Sequence, residues 1–366
     1  LSNHRRCLQS ENPGNGGMRF SIAVPLQRII EGRYQYDVES FIAECQAAER
    51  AGFHAAVVGE RRMGVTAYNT SPHILSAIAL ANTTRLGFAI MVVQLPLRDP
   101  IQVIQDAMVL NSIYPGRFRL GVGAGYNEHE FEFFGKDLDA RGQAMEEGLE
   151  KINAFRDGDI TVDVGRGPVP AVDPAMGDCR PEVWFGAWAK AGVRRAARLA
   201  DGWLPDPMRT GALIAELAEL YRAECRTQGK QPRIAMLREA WLADTDELAR
   251  TEYGPAVVQA HAEYFPRMQG GWKSASGAEG KPYDVRKDPW LKDMDEKEQL
   301  SLDQLLDDRF LVGSIDTWME NLERWIEAIE PEEFVLRFRF QGGPSPARTL
   351  EVIERVGRDI IPRFSQ

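Results

Sequence analysis

No two cysteines in this chain are spaced for a metal or redox site. The four present, Cys7, Cys45, Cys179 and Cys225, are scattered without a CxxC, so neither a Cys-type metal site nor a disulfide framework is expected, and a reduced, cytoplasmic protein is. Histidine is scarce as well. His4, His54, His73, His129 and His261 form no HExxH, and neither GxSxG nor a P-loop occurs. An enzyme with no catalytic constellation of its own borrows its chemistry from an organic cofactor. Apolar runs long enough to span a membrane are missing. Positive charge is in deficit, and the formal net charge of −10 argues against nucleic acid and anionic membrane surfaces as partners. Leu1 to Gly17 is polar, rich in asparagine and glycine, and has no apolar h-region, so no signal peptide is expected there. Met18 directly precedes the first apolar run, and residues 1–17 are expected to be an extension outside the folded unit.

What is present alternates. Arg19–Pro25 reads as an apolar strand, and Val38–Ala51 as an amphipathic helix closed by Gly52. Ala55–Val58 is a short buried strand, and Ser71-Pro72 opens the next helix with proline in the tolerated first turn. Leu86–Val93 and Phe118–Val122 read as strands, with Pro100–Ile113 between them long enough for one crossover helix. Arg141–Phe155 follows as a helix, with a small hairpin at Ile160–Val164. Further strands are read at Val183–Phe185, Gly202–Pro205, Ile234–Ala243 and Phe334–Phe340, with helices at Lys190–Ala200, Ala212–Gln228 and Ala347–Ile361. Eight β/α repeats in order predict an α/β fold, a single (β/α)8 TIM barrel over residues 18–366. A doubly wound sheet fits less well, because no GxGxxG follows the first strand.

One segment, 244–310, breaks the rhythm after the seventh strand. It is helical at first (Leu248–Tyr264), then rich in glycine, lysine and aspartate from Gly270 to Leu300. Insertions this long in a compact barrel are functional or disordered. A lid over residues 266–300 or a solvated surface flap both fit.

The most specific wording is Thr84-Arg85-Leu86-Gly87-Phe88-Ala89-Ile90-Met91-Val92-Val93, continued by Pro96, Arg98, Asp99 and Pro100. After it come Tyr114-Pro115-Gly116-Arg117-Phe118-Arg119-Leu120-Gly121-Val122-Gly123-Ala124-Gly125-Tyr126-Asn127 and Phe134-Gly135. The glycines stand at the C-terminal end of a strand, where α/β folds bind ligands. Glycines there let backbone approach a flat ring or a phosphate, or simply permit a tight turn. This stretch, with Arg194–Trp203 and Phe334–Gly343, resembles the bacterial luciferase-like flavin monooxygenases, a family of (β/α)8 barrels.

The resemblance implies a flavin lying over Gly123 and Ala124, with Tyr126 and Asn127 at the rim beside Asn69 and Arg337. Bacterial luciferase has a reactive cysteine and a phosphate-binding arginine where this chain has Gly123 and Ala124. Arg141 stands where relatives reach the flavin phosphate. The turn Ala187-Trp188-Ala189-Lys190 replaces their serine or threonine, leaving backbone amides and Lys190 for the phosphate and Trp188 to stack on the ring or fill core. The non-proline cis peptide of the family aligns with Ala89-Ile90. Glu60-Arg61-Arg62 replaces Glu-His-His, with Arg61 at the position of luciferase's catalytic histidine. Arginine cannot act as a neutral base but binds anions, or pairs with Glu60 on a solvated loop.

The implied activity is oxidation of a small organic substrate by reduced FMN and O2, with a separate NAD(P)H:flavin reductase supplying electrons and a homodimer as the assembly. The family also contains oxidoreductases using deazaflavin F420. A catalytically silent flavin-binding protein is a third reading, motivated by Gly123, Ala124 and Arg61 replacing working groups.

Overall fold

The computed structural model describes residues 17–62, 69–163, 165–172, 180–274, 301–340 and 342–364. Among the described residues nine strands form one sheet, every pair of it parallel. Their order is Gly202–Leu204, Glu182–Gly186, Phe118–Gly123, Gly87–Gln94, Ala55–Val58, Arg19–Ala23, Glu333–Arg337, Ala235–Leu242 and Leu311–Gly313. The eight strands read from the sequence are all among them. The ninth, Leu311–Gly313, was not expected. It pairs with Ala240–Leu242, beyond the point where Glu333–Arg337 leaves that strand. The sheet curls so that its edge strand Gly202–Leu204 comes back beside the start of Ala235–Leu242, where the Trp203 amide donates to the Arg233 carbonyl at 2.9 Å beside an isolated parallel Trp203–Ile234 bridge. A parallel sheet curled in this way, with helices outside, is consistent with a TIM-like barrel.

Local chemistry explains the elements. Helix Pro100–Ile113 begins where expected, because the Asp99 carboxylate accepts from the amides of Ile101 (2.9 Å) and Gln102 (3.1 Å) and Pro100 fills the first turn. Its Val103, Ile104 and Met108 are buried against the sheet, each contributing about 1.5–3 kcal/mol. The small hairpin read at Ile160–Val164 is present as Thr161–Asp163 and Pro168–Pro170, and a second one, Gln27–Ile30 with Arg33–Tyr36, follows the first strand. The insertion begins as helix Asp246–Ser274, longer than the sequence suggested. Residues 275–300 lie outside the described residues, and with them most of the expected lid over 266–300. The extension 1–17 is outside them too, save Gly17. Among the described residues no helix is long and apolar enough to cross a membrane.

The interior of the curl is filled from its N-terminal end. Arg119 donates to both carboxylate oxygens of Glu333, at 2.5 and 2.7 Å, and Ser21 Oγ donates to the same group. Arg233 extends the network outward to Glu182 at 2.7 Å and Glu332 at 3.0 Å. Above the Arg119–Glu333 pair lies an aliphatic layer of Val57, Ala89 and Val335, with Met91 and Leu237 packed on it.

Burial alone would raise the Glu333 pKa, but the hydrogen-bonded Arg119 guanidinium more than reverses this and holds it well below the usual carboxylate range. A depressed pKa contributes stability that is present above the unfolded value of about 4.3 and is lost as pH falls below it. Glu333→Gln strands the Arg119 charge, so it is expected to cost about 3–5 kcal/mol at neutral pH. The variant should also lose less stability than wild type when urea unfolding is repeated near pH 3.5. A variant as stable as wild type at both pH values would contradict this role.

Candidate active site

The C-terminal ends of the curled sheet open into a cavity of about 470 Å³. Its floor is apolar, made of Val57, Met91, Val92, Leu204, Ala235 and Leu237, and its rim is polar. Of the residues singled out from the sequence, Glu60, Arg61, Asn69, Gly123, Ala124, Tyr126, Asn127, Ala187, Trp188 and Arg337 line this one cavity. Ala89, Ile90, Arg141, Ala189 and Lys190 are not among its lining residues.

The cis peptide corrects one expectation. It joins Met91 to Val92, not Ala89 to Ile90. Register gives the reason. Phe88, Ala89 and Ile90 pair regularly with Phe118, Arg119 and Leu120, and the ladder breaks between Ile90 and Val93. Ala89 and Ile90 are therefore ordinary buried strand residues, while Met91 and Val92 reach the cavity floor.

The glycine turn has a packing role here. A Cβ on Gly121 would lie 2.2 Å from the Ile90 carbonyl oxygen, and one on Gly123 would lie 2.5 Å from Val92 Cγ2. These two glycines let their strand lie close against residues 90–92. Beyond them, Asn127 caps helix Glu128–Phe133 by accepting from the His129 amide at 3.1 Å, and the Tyr126 hydroxyl accepts from Arg61 Nη2 at 3.2 Å.

Glu60 is a hub. Its side chain is fully buried, with Oε2 accepting from the Gln94 amide at 2.7 Å and Oε1 from Arg98 Nε at 2.8 Å and Arg62 Nη1 at 3.3 Å. With its oxygens so engaged, Glu60 holds the loop in position. Arg62 turns away, its amide donating to Glu130 at 3.0 Å and its guanidinium 4.3 Å above the Phe134 ring. Arg61 is the member of the triplet that faces the cavity with Glu60.

The expected phosphate cations have local partners. Lys190 Nζ sits 3.1 Å from Glu216 with both side chains mostly exposed. Arg141 opens helix Arg141–Asp157 and donates to the Leu138 carbonyl at 2.7 Å, with burial lowering its pKa. Helix Lys190–Leu199 starts directly after the cavity-lining Ala187 and Trp188, and its N-cap, Ala189, has no side-chain oxygen for the first amides. Trp188 lies under Arg209, whose guanidinium carbon is 5.6 Å from the ring centre.

Other lining residues were not recognised from the sequence. Gln94 closes the cavity with a buried Oε1 that has no hydrogen-bond partner among the described residues. Glu239 and His261 reach the wall beside Arg337, which was a rim candidate from the sequence. Arg238 and Arg309 fix the lining loop from behind, donating to the Pro207 carbonyl at 3.0 Å and the Met208 carbonyl at 3.2 Å. Strand alternation is the signal that points inward for Glu239: Ala235, Leu237 and Glu239 share the cavity face, and Arg238 the other.

A family model described as luciferase-like monooxygenase matches residues 18–329. An uncharacterised protein of Mycobacterium tuberculosis is 34% identical over 160 residues, which is 42% of this chain and 55% of that protein. The match thus spans about half the length of that relative. The oxygenase component of the flavin-dependent trigonelline monooxygenase of Acinetobacter baylyi is 26% identical over 268 residues, 70% of this chain and 72% of that one. Among solved structures, the oxygenating constituent of 3,6-diketocamphane monooxygenase from Pseudomonas putida, in complex with FMN, has a TM-score of 0.71 at 19% identity, covering 95% of this chain and 99% of that one. An F420-dependent secondary alcohol dehydrogenase has a TM-score of 0.68 at 16% identity, covering 93% and 98%. At these identities the structural likeness establishes the fold.

If Gly123 is present for strand packing, Gly123→Ala should destabilise by about 1–3 kcal/mol through overpacking against Val92. Val92→Ala removes the clashing methyl, so the double variant should recover most of the loss in a thermal double-mutant cycle. Additive losses would show that the Gly123 contact is not with Val92.

Proposed function

The chain belongs to the luciferase-like monooxygenase family, and on that premise we propose that it is a flavin-dependent monooxygenase using reduced FMN and O2 on a small organic substrate. The observation that carries the reading is the cavity: an apolar floor at the strand C-termini with an orphaned acceptor, Gln94 Oε1, in its wall. A buried acceptor without a partner costs about 1–3 kcal/mol, and a ligand donor relieves it. The pyrimidine edge of a flavin carries one N–H between two carbonyls, which matches that need. Met91 and Val92 would support the ring from below.

The phosphate would take the uncapped amides that open helix Lys190–Leu199. Lys190 and Arg141 would join by leaving Glu216 and the Leu138 carbonyl. Arg61, held on Tyr126, offers its charge to an anionic or strongly polar group in the cavity. Bound in this way, reduced FMN supplies the electrons that activate O2. The protein keeps water out, through the apolar floor and a lid from the 244–310 insertion, and holds the reactants in place. We further propose a closed (β/α)8 barrel as the frame, a separate NAD(P)H:flavin reductase as electron source and a homodimer as the assembly. The trigonelline enzyme's status as an oxygenase component supports the separate reductase. F420 presents the same pyrimidine edge, and F420-dependent proteins share the fold, so a deazaflavin oxidoreductase is the second reading.

Titration with FMN, reduced FMN and F420 separates the readings. Reduced FMN is expected to bind most tightly and to consume O2 when substrate is present. Gln94→Leu should weaken FMN binding about tenfold by removing the acceptor, and Arg141→Ala by tenfold or more through loss of a charge-assisted contact of about 1.5–3 kcal/mol. Tight binding of F420 alone would overturn the proposal. An Arg141→Ala affinity within about twofold of wild type would remove that residue from the phosphate site.

A further inference from the structure

Three and four strands round the sheet from Met91 and Val92, strands Glu333–Arg337 and Ala235–Leu242 build a cavity wall that the flavin reading does not use. Glu239 and Arg337 are register partners on these strands, with Arg337 Nη1 3.3 Å from Glu239 Oε1. Tyr253 Oη donates to the Arg337 carbonyl oxygen at 2.7 Å and fixes the end of that strand. Burial raises the Glu239 pKa, and the Arg337 guanidinium is the foremost influence opposing it. Directly opposed and in contact, the two side chains are an ion pair of no net charge. Glu239 is almost fully covered, whereas the Arg337 side chain is 30% exposed. A guanidinium has five N–H donors, so this pairing leaves donors over for a neutral acceptor in the cavity.

The third group on this wall comes from helix Asp246–Ser274. His261 Nδ1 is 2.7 Å from the Val257 carbonyl oxygen, which can only accept, so Nδ1 carries the ring proton. The ring is held in place by Phe310 and Phe340, whose centroids lie 5.2 and 5.6 Å from its own. Nε2 is 3.8 Å from Glu239 Oε1, too far for a hydrogen bond, so no proton joins the two. His261 Nε2 is therefore a lone pair on a residue that lines the cavity. Burial, which pushes the His261 pKa down to about 4, keeps the ring neutral at pH 7.

We propose that Arg337 and His261 select the substrate by a neutral carbonyl with an N–H or O–H beside it, as in a carboxamide or lactam. The carbonyl oxygen accepts from Arg337, and the N–H or O–H donates to His261 Nε2. Both residues adjoin the same Glu239 oxygen, so they are neighbours on the wall and one small group meets both. A carboxylate is disfavoured at this wall. It meets the Glu239 charge beside Arg337, and it has no proton to offer Nε2. A ligand with a carbonyl but no adjacent donor covers Nε2 without satisfying it, which costs affinity.

The other charges packed around this wall have partners of their own. Arg339 pairs with Glu44 at 2.7 Å, Asp206 with Arg209 at 3.6 Å, and Arg238 projects from the opposite face of the strand onto the Pro207 carbonyl. The proposal rests on the monooxygenase reading, since it names the class of molecule oxidised in that cavity, and it leaves Arg61 to any charged group the substrate carries.

Benzamide is the probe and N,N-dimethylbenzamide, which keeps the carbonyl but has no N–H, is its control. Both are titrated calorimetrically into the FMN-loaded protein and into the protein without FMN. Benzamide should bind about tenfold more tightly than the dimethyl compound, the cost of one unsatisfied acceptor. His261→Phe keeps a ring between Phe310 and Phe340 and removes the lone pair, so the two amides should then bind within about threefold of each other. Arg337→Met should weaken both amides by about tenfold, and each variant should leave FMN affinity within about twofold of wild type.

Equal affinity of the wild type for the two amides, or binding of neither, would overturn the proposal. So would a preference for benzamide that survives in His261→Phe, since shape and not the lone pair would then be its source. Benzoate affinity that falls further than benzamide affinity in Arg337→Met would show that Arg337 serves an anion, with the same consequence. Should Arg337→Met not fold, the two amides on wild type and His261→Phe decide the matter alone. Discrimination between the amides by a protein that binds no flavin would sink the monooxygenase reading and leave this wall standing, whereas flavin binding without discrimination would sink only this inference.

Discussion

A curled parallel sheet has room inside for layered side chains and little else, so whatever fills one end decides where a hollow can remain. Here the filling is the buried ion pair of Arg119 and Glu333. Removing both charges from water costs several kcal/mol each, and that cost is offset by two short hydrogen bonds between them and a third from Ser21. The pair occupies the N-terminal half of the interior, and Val57, Ala89 and Val335 seal it from above. The hollow is thereby displaced to the C-terminal ends of the strands, where the connecting loops supply polar groups.

The same division runs through the charged residues of the rim. Glu60 and Glu44 spend their oxygens holding Arg98, Arg62 and Arg339 in place. They fix loops whose backbone lines the cavity. Two cationic groups are differently placed. Arg61 and Arg337 both reach the cavity lining, Arg61 from the loop after Ala55–Val58 and Arg337 from the end of Glu333–Arg337, with Arg19–Ala23 between these two strands.

Much of this frame was legible in the sequence, and the reasons are local. Pro100–Ile113 is announced by its cap and its helical period, and the eight strands by short apolar runs between turn residues. Leu311–Gly313 escaped because three residues carry no period. The cis bond was placed two residues early because the break in strand register, between Ile90 and Val93, is a property of pairing and leaves no mark in a single chain. Gly121 and Gly123 were read as room for a ligand or a turn, whereas the missing Cβ atoms make way for Ile90 and Val92. Lys190 looked free for a phosphate, and only the fold sets Glu216 beside it. His261 and Glu239 belong to different elements, so no spacing in the sequence brings them to one cavity wall.

The account turns on what the cavity holds and how it is oriented, and a crystal structure of the protein soaked with FMN tests this most directly. The predicted result is an isoalloxazine ring over Met91 and Val92, its pyrimidine N–H within about 3 Å of Gln94 Oε1, and its phosphate at the first amides of helix Lys190–Leu199. A ring bound outside this cavity, or bound inside it with Gln94 Oε1 still unpartnered, would contradict the account.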